Sequence, residues 1–438
     1  MIEDELNLSN SLVSVINMNS VNERINLYEG KAIFRFEDRE VKSHCKIYIE
    51  WLPRPYIKFD AVFQERTRIN FNEKVKFKLK DDIEEEVLFT KTDIMAIEVS
   101  GIFTRGFSLK DDKRKMNVLE FTLINGFDNF GEWIKSETHR YAGRINFSYM
   151  GYRIIIDKVH NYKEIFDELK QIGGYSITHH AQILRNDGLD FSEEDGMKLI
   201  EAVEWLMSFA NGQRVGVCSL CGYQGTKKVL EKYLRPWVDS NKSTVVTWYP
   251  KNYPTNDALE DVFPNLVEKL NDELWGDVLP VVLSWYLDSR SSIIVENKIV
   301  SIQIALETLA WTYIVEEKEI MDGNIFNNKL RASDKLRMFL YELEIPRKTP
   351  NNIMQGLDKK YEDGTYLFTE CRNNIVHPKK KKNDTFLKDI NKMVGVLNLG
   401  INYLELSMLR IIDYNGIYTN LIAENPKERD RRVPWFYC

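Results

Sequence analysis

The chain has 438 residues, 43% of them apolar and 12% aromatic, which is enough for several domains with buried cores. This composition excludes a disordered chain, a collagen-like fibre and a disulfide-stapled miniprotein. The formal net charge of -6, from 60 basic and 66 acidic residues, excludes a surface that is basic throughout. A polyanionic partner would therefore need a local basic patch.

Three features predict a cytoplasmic protein that does not span a membrane. The cysteines are odd in number and widely spaced, which favours a reducing compartment. The start, MIEDELNLSN, is acidic and lacks the basic and apolar regions of a signal peptide. The most apolar late stretch, residues 393–412, is interrupted by Asn398, Asn402 and Glu405, which makes it a poor bilayer span.

Residues 1–165 are predicted to form a β-rich, sandwich-like domain. Short runs rich in β-branched and aromatic residues recur from about residue 28 to 160, with polar turns between them. In one run, Val75, Phe77 and Leu79 alternate with lysines, which is typical of a half-buried antiparallel strand. Many such strands favour a β-sandwich or an open barrel.

Residues 166–258 are predicted to be a mixed α/β middle region. Ser192 is a good helix N-cap with an acid, Asp195, three residues later, and a helical run continues to Ala210. The Asn211-Gly212 pair then ends the helix.

Residues 259–415 are predicted to form a helical bundle, followed by a tail over 416–438. One apolar stripe indicates a helix from about Val295 to Val315, and a second indicates a helix capped by Asp384 and continuing to Ile411. A shorter helix carries Leu336 and Phe339, and another ends at Pro378. The fold class is therefore multidomain α+β, a β-rich sandwich-like region followed by an all-α bundle.

The common catalytic motifs are absent from the sequence, including the phosphate-binding loop, the zinc-protease HExxH helix and the GxSxG elbow. Cys218 and Cys221 have the spacing of half a zinc site, but no second pair follows, and nothing in the sequence brings His179 and His180 near them. Two ordinary cysteines in a strand or turn are the alternative, and we expect no cofactor.

The segment from Cys371 to Pro378 is the strongest candidate for chemistry, because Arg372 and His377 form an Arg-x4-His pattern at the end of a helix. Similar patterns, Arg39-x4-His44 and Arg153-x6-His160, occur in strand-like sequence. The pattern that begins at Arg372 differs from these two because it ends a predicted helix, with Asn373 and His377 at positions i and i+4 on one face.

Pro378 disfavours the helical conformation at His377 and lets its imidazole turn toward Arg372. A histidine can exchange protons with a ribose hydroxyl, an arginine can bind the phosphate, and Lys379, Lys380, Lys381 and Lys382 can attract the nucleic-acid backbone. Together these groups suit RNA cleavage without a metal. A helix-capping histidine beside a solvated lysine run is the alternative.

Glu307 is a possible supporting residue, because it lies between Ile304 and Trp311 on an apolar flank of its helix. A carboxylate in that position needs a partner, and Arg372 is one candidate. The alternative is that Glu307 lies at the edge of the bundle, where water solvates its carboxylate.

The Arg372-Asn373-x3-His377 segment resembles the Rx4-6H motif of HEPN-domain ribonucleases, and residues 304–309 resemble the earlier acidic helix of that family. The whole chain is similar to the ApeA-like anti-phage group, in which a β-rich region precedes stretches like Ile177-Thr178-His179-His180, Phe191-Ser192 and 208–212.

The resemblance implies a C-terminal HEPN bundle that acts as a homodimer, with two Rx4-6H segments sharing one cleft. It implies RNA cleavage without metal, leaving a 2′,3′-cyclic phosphate, with His377 as acid/base, Arg372 on the phosphate and Asn373 orienting one of them. The expected function is an endoribonuclease of abortive phage defence that acts on host or phage RNA, foremost tRNA.

The expected partners are RNA, a second copy of the chain and a phage-derived trigger. The β-rich region is expected to sense the trigger or to regulate the nuclease. Two alternatives remain open at this point. One is a non-catalytic HEPN module that binds a nucleotide or a protein, and the other is a zinc-dependent nucleic-acid-binding protein centred on Cys218 and Cys221.

Overall fold

The computed structural model describes residues 8–14, 16–70, 73–79, 83–241, 245–251, 257–377 and 389–436. The chain divides into two compact units. Unit 1 lies within residues 1–204 and 214–243, and unit 2 within residues 205–213 and 244–438. Unit 1 is rich in strands and unit 2 in helices, so the predicted order of a β-rich N-terminal region and C-terminal helices is confirmed.

The first six strands form a closed antiparallel barrel in unit 1, in the order β1-β2-β3-β6-β5-β4. They are β1 Ile25–Arg35, β2 Glu40–Glu50, β3 Tyr56–Arg68, β4 Val75–Lys78, β5 Glu84–Lys91 and β6 Met95–Phe103. Phe34 lies in the barrel core, with ring centroids 5.3 Å from Phe59 and 5.4 Å from Phe77. Because β1 pairs with both β2 and β4, the sheet closes on itself, and the predicted sandwich is wrong for these strands.

The remaining strands of unit 1 form an eight-stranded antiparallel sheet in the order β7-β14-β13-β8-β12-β11-β10-β9. They are β7 Gly106–Asp111, β8 Val118–Ile124, β9 Glu132–Lys135, β10 Arg140–Tyr149, β11 Tyr152–Lys158, β12 Ile177–Arg185, β13 Gly216–Gln224 and β14 Lys227–Leu234. The boundary predicted at residue 165 falls inside this sheet, because β12 pairs with both β8 and β11.

Two helices occur along this part of the chain, α1 Tyr162–Ile172 and α2 Glu193–Asn211. The predicted start of α2 is confirmed, because Ser192 Oγ accepts a hydrogen bond from the Asp195 N–H (3.1 Å) and the Ser192 N–H donates to Asp195 Oδ2 (3.2 Å). Its end is confirmed too, since Gly212 follows with φ of 69°.

Unit 2 contains a helical bundle and a short antiparallel ribbon. The elements are α3 Asp257–Leu270, α4 Trp275–Ser291, α5 Val295–Trp311, α6 Gly323–Lys329, α7 Ala332–Glu342, α8 Asn351–Met354, α9 Gly364–Val376, α10 Ile390–Ile411, β15 Ile417–Thr419 and β16 Asp430–Arg432. The ribbon lies in the predicted tail, where Trp435 is buried and its Nε1 donates to the Tyr414 carbonyl (2.9 Å).

The apolar stripe predicted for α5 is buried, and a π-helix, Thr312–Glu317, continues the helix. The combined helix, Val295–Glu317, is the one helix of the described ranges that is long and apolar enough to cross a membrane. More than half of its most apolar window, 56%, is buried inside the protein, as in a core helix, so its composition alone is weak support for a span.

Asp389 caps α10, accepting from the Asn391 N–H (3.0 Å) and the Lys392 N–H (3.3 Å). The predicted cap, Asp384, lies outside the described residues. Helix α10 is buried around most of its circumference, which is the pattern of a central helix.

Helix α9 packs closely on α10 at Gly400. A Cβ atom at this glycine would lie 2.2 Å from Cε2 of Phe368, so only a hydrogen allows the ring to lie against the α10 backbone. Gly395, on the same helix, has space, because its Cβ would meet Ile353 Cγ1 at 3.5 Å.

We therefore expect alanine to have opposite effects at these two positions of α10. Gly400→Ala forces Phe368 out of place and should lower the free energy of unfolding by about 1–3 kcal/mol. Gly395→Ala should raise it by up to about 1 kcal/mol, since alanine favours the helix. Denaturant unfolding measures both, and Phe368→Leu should restore part of the loss in the Gly400→Ala background. Equal effects at the two positions would contradict the close contact.

One carboxylate is buried in the bundle core. Glu405 on α10 is 1% exposed and accepts a hydrogen bond from the Tyr286 hydroxyl on α4 (2.6 Å). Burial raises the pKa of Glu405 to about 7, although the positive charge of Arg290 opposes this. Folded Glu405 therefore keeps a proton at pH values where an unfolded glutamate, with a pKa of about 4.3, has lost it.

This pKa predicts that the helical unit loses stability as the pH rises from about 5 to about 8, since the folded state binds the extra proton. The expected loss from this group is on the order of 3 kcal/mol. Glu405→Gln keeps an oxygen acceptor for Tyr286 and should remove that part of the pH dependence in thermal unfolding. Glu342→Gln, at an exposed position, is the control. If thermal stability depended on pH in the same way in the wild type and in Glu405→Gln, the raised pKa of Glu405 would be disproved.

Candidate active site at the end of helix α9

Helix α9 is anchored at its start by Asp363. The carboxylate accepts hydrogen bonds from the Thr365 N–H (3.0 Å) and the Thr365 hydroxyl (2.7 Å), which cap the helix. Arg337 on α7 donates its Nε–H to the other oxygen (2.8 Å). Burial raises the pKa of Asp363, but the bonds from Thr365 and Arg337 outweigh it, and the pKa lies below its usual range. The carboxylate therefore joins α7 to α9 in its charged form.

The predicted catalytic residues lie at the other end of this helix. Arg372 is half-buried, and its Nη1 donates to Asn373 Oδ1 (3.3 Å). Its Nε is buried and has no hydrogen-bond partner, and no carboxylate forms an ion pair with the guanidinium, among the residues that the structure describes. A cation that is partly removed from water and not neutralised is a favourable place for an anion.

His377 follows α9 and is exposed. Its N–H still donates to the Asn373 carbonyl (2.8 Å), but its φ of -125° and ψ of 69° are not helical. The predicted departure from the helical path before Pro378 is confirmed. The structure places Arg372 and Asn373 near the end of α9 and His377 just after it, with no hydrogen bond between Arg372 and His377 in the described part of the chain.

For Glu307 we expected either a contact with Arg372 or a position at the edge of the bundle, and the described part of the structure does not show the contact. Glu307 accepts a hydrogen bond from Gln303 Nε2 (2.8 Å), on its own helix, and no ion pair with Arg372 occurs within the described ranges. Burial raises the pKa of Cys371 on α9, and the negative charge of Glu296, in the first turn of α5, adds to this. Glu307 lies about 16 Å further along α5, at 1.5 Å per residue.

Exposed apolar side chains lie around the same end of the bundle. Ile293, just before α5, is 95% exposed, and Val376 on the last turn of α9 is also exposed. Ile390, at the start of α10, is exposed as well. Pro378 and the four lysines Lys379 to Lys382 fall outside the described residues. The surroundings of Arg372 and His377 thus combine apolar surface with a cation that has no ion-pair partner among the described residues, which is typical of an interaction site.

Cys218 and Cys221, which have the spacing of half a zinc site, lie in the eight-stranded sheet. Both are buried on β13, where a β-bulge between Val217 and Ser219 turns the Cys218 thiol toward Thr122, with Cys218 Sγ 3.1 Å from Thr122 Oγ1. Burial raises the pKa of each thiol to about 12, so both stay protonated. No cluster of three or more His, Cys, Asp or Glu side chains suited to a metal occurs in the described ranges.

His179 and His180 lie on β12 in the same sheet and are buried. Burial lowers the pKa of His179 to about 3 and that of His180 to about 4, so both imidazoles are neutral. His179 Nε2 is 3.1 Å from Asn129 Oδ1. His179 thus has a structural partner inside unit 1.

The two other arginine–histidine patterns lie in unit 1, as their strand-like sequence predicted. His44 is on β2, and Arg39 directly precedes that strand and pairs with Asp38. Arg153 is on β11 and donates to Asn146 Oδ1 (3.2 Å). Neither pattern ends a helix.

Asp363 and Arg337 were missed from the sequence, although Asp363 positions α9. The signal was present, because an aspartate before Gly364-Thr365 at the start of an apolar run is a typical N-cap. Its partner Arg337 lies on another helix, and no local pattern could have indicated it.

The fold and this site define a two-unit α+β protein, in which a barrel and an antiparallel sheet precede a helical bundle with polar groups at the end of α9. Two family models match the chain, the YopA central domain over residues 111–244 and the YopA C-terminal domain over residues 272–430.

A relative from Bacillus subtilis (strain 168), described as an SPbeta prophage-derived uncharacterized protein YopA, is 34% identical over 414 residues, covering 91% of this chain and 92% of the relative. The chain therefore belongs to the YopA family. No solved structure matches it. The match to the C-terminal domain includes the whole of α9, and none of these descriptions states an activity.

Proposed function

We propose that this protein is an endoribonuclease of the HEPN type that cleaves RNA without a metal ion, with Arg372 and His377 as its catalytic residues. The observation that carries the proposal is the last turn of α9, where a half-buried guanidinium without a carboxylate partner in the described ranges lies close in sequence to an exposed imidazole. Phosphate binding would supply the missing negative charge.

The proposed reaction is transfer of the phosphate to the neighbouring ribose oxygen. A neutral His377 removes the proton from the 2′-hydroxyl, the 2′-oxygen bonds to phosphorus, and the bond from phosphorus to the 5′-oxygen breaks. The leaving oxygen takes a proton from a protonated imidazole, and a 2′,3′-cyclic phosphate remains. Arg372 stabilises the charge that develops on the phosphate, and Asn373 holds the guanidinium through the bond to Oδ1.

A homodimer through the helical unit is part of the proposal. Two copies of the α9 end would supply two imidazoles to one cleft, so one can act as base while the other acts as acid. The exposed side chains of Ile293, Val376 and Ile390 support a contact surface at this end of the bundle.

We place this activity in the cytoplasm, in anti-phage defence by abortive infection, with tRNA as the foremost substrate. A phage-derived component would trigger the nuclease, and the β-rich unit would sense this component or regulate the nuclease. The B. subtilis relative is described as prophage-derived, and a role in defence against other phages is compatible with that origin. Lys379 to Lys382 are proposed to hold the RNA backbone near the cut.

Cleavage of tRNA by the purified full chain in the presence of EDTA tests the chemistry. We expect His377→Ala and Arg372→Ala each to lower the cleavage rate by at least about a hundredfold, the usual range for an acid–base group. A single 2′-deoxy nucleotide at the cut site should also block the reaction, since the attacking hydroxyl is missing.

The matched controls are Arg39→Ala and His44→Ala, which remove an equally spaced pair near strand β2 and should leave cleavage unchanged. A nuclease that is inhibited at rest is tested by growth arrest on induced expression, which His377→Ala should relieve. Intact RNA, together with growth arrest that does not depend on His377, would contradict the proposal and favour a non-catalytic HEPN module.

A further inference from the structure

A cleft of about 570 Å³ in unit 1 combines arginines with an exposed tryptophan. Its lining includes Arg54 and Pro55, just before β3, and Arg235, Pro236 and Trp237, just after β14. The volume lies in the range of small-molecule sites. The two prolines fix the backbone φ angles of both rims, so the cleft is formed before any ligand binds.

Trp237 offers a flat aromatic surface to the cleft. Its side chain is 70% exposed, although the guanidinium of Arg214 lies over the ring at 3.4 Å from the centroid. Since one face of the indole is covered by a cation, the exposure belongs to the other face and the edges. A ring held in this way can stack on a second planar group at little cost in conformational entropy.

The charge of the cleft is positive. Two arginines, Arg54 and Arg235, line the cleft against one carboxylate, Asp239, which gives an excess of one positive charge in a chain whose net charge is -6. Arg235 lies over the Tyr56 ring at 4.2 Å. Neither Arg54 nor Arg235 forms an ion pair within the described part of the chain.

Polar groups converge at the buried side of the cleft. Tyr175 lines the cleft together with Asp239 and Arg54, and burial raises the pKa of its hydroxyl. The Ser240 hydroxyl accepts a hydrogen bond from the Gly174 N–H (3.1 Å) and lines the same cleft. These groups can donate to and accept from the edge of a ligand.

We propose that this cleft binds a nucleotide unit, with the base stacked on Trp237 and the phosphate paired with Arg54 and Arg235. A planar base and an adjacent anion are the two features that an open indole face and two guanidinium groups, neither in an ion pair within the described ranges, recognise together. The unit is either a free nucleotide or one residue of a single-stranded nucleic acid. The inference does not depend on the proposed ribonuclease activity, because none of these residues belongs to the α9 site.

Binding of nucleotides to the full chain tests this inference. Fluorescence anisotropy is measured with single-stranded DNA and 2′-O-methyl RNA oligonucleotides, which cannot be cut by attack of a 2′-hydroxyl, and calorimetry with adenosine and guanosine monophosphates and triphosphates. Binding of mononucleotides identifies a free nucleotide as the ligand, and binding of oligonucleotides alone identifies a single strand. Failure of the ribonuclease would leave these results unchanged.

Substitutions of the stacking tryptophan and of the two arginines should change nucleotide binding in different ways. Trp237→Ala should weaken binding at least about tenfold, and Trp237→Phe much less, since a smaller ring still stacks. Arg54→Gln and Arg235→Gln should each weaken binding, and with oligonucleotides each should reduce the slope of log affinity against log salt by about one.

Trp133→Ala and Arg140→Gln, at exposed positions on β9 and β10, should leave affinity unchanged. The proposal is overturned if no probe binds, if Trp237→Ala binds like the wild type, or if Trp133→Ala weakens binding equally.

Discussion

The close contact between α9 and α10 at Gly400 is the constraint on which the candidate site depends. Phe368 lies against the α10 backbone where a Cβ would be only 2.2 Å away, so α9 cannot rotate or slide without losing this fit. Asp363 fixes the start of the same helix through Thr365 and Arg337. Arg372 follows Phe368 by one turn, and its position at the surface is therefore set by packing inside the bundle rather than by contacts of its own.

The bundle and the β-rich unit carry two chemically different candidate sites. The end of α9 offers one cation and one group that can exchange protons, which suits a reaction and provides little binding energy. The cleft at Trp237 offers stacking and positive charge without a neighbouring acid–base pair, which suits binding. Recognition and cleavage would then be separable by mutation.

The sequence was sufficient where the determining interactions are local. The capping of α2 by Ser192 and Asp195 and the buried stripe of α5 depend on residues within one or two turns, and both were predicted. Closure of the barrel depends on β1 pairing with β4, which lies about forty residues further along the chain. Buried and exposed residues alternate along these strands as they do in a sandwich, so the sequence pattern does not distinguish the two folds. The sequence left Glu307 open between a contact with Arg372 and a position in water, because the order of helices along the chain does not show which of their residues lie side by side. The Trp237 cleft was missed because its rims come from distant loops.

The arginine–histidine pattern illustrates how a helix end gives meaning to a short spacing. Five residues of regular helix place two side chains about 140° apart, so the pattern inside a helix would not direct both groups to one ligand. Five residues of strand place them on opposite faces. At the end of α9 the backbone of His377 leaves the helix, with ψ of 69°, while Arg372 is still held by the bundle. The imidazole is then released from the helical periodicity that would otherwise separate it from the guanidinium. The proline that follows is as much a part of the motif as the arginine and the histidine, since it disfavours the helical conformation at His377.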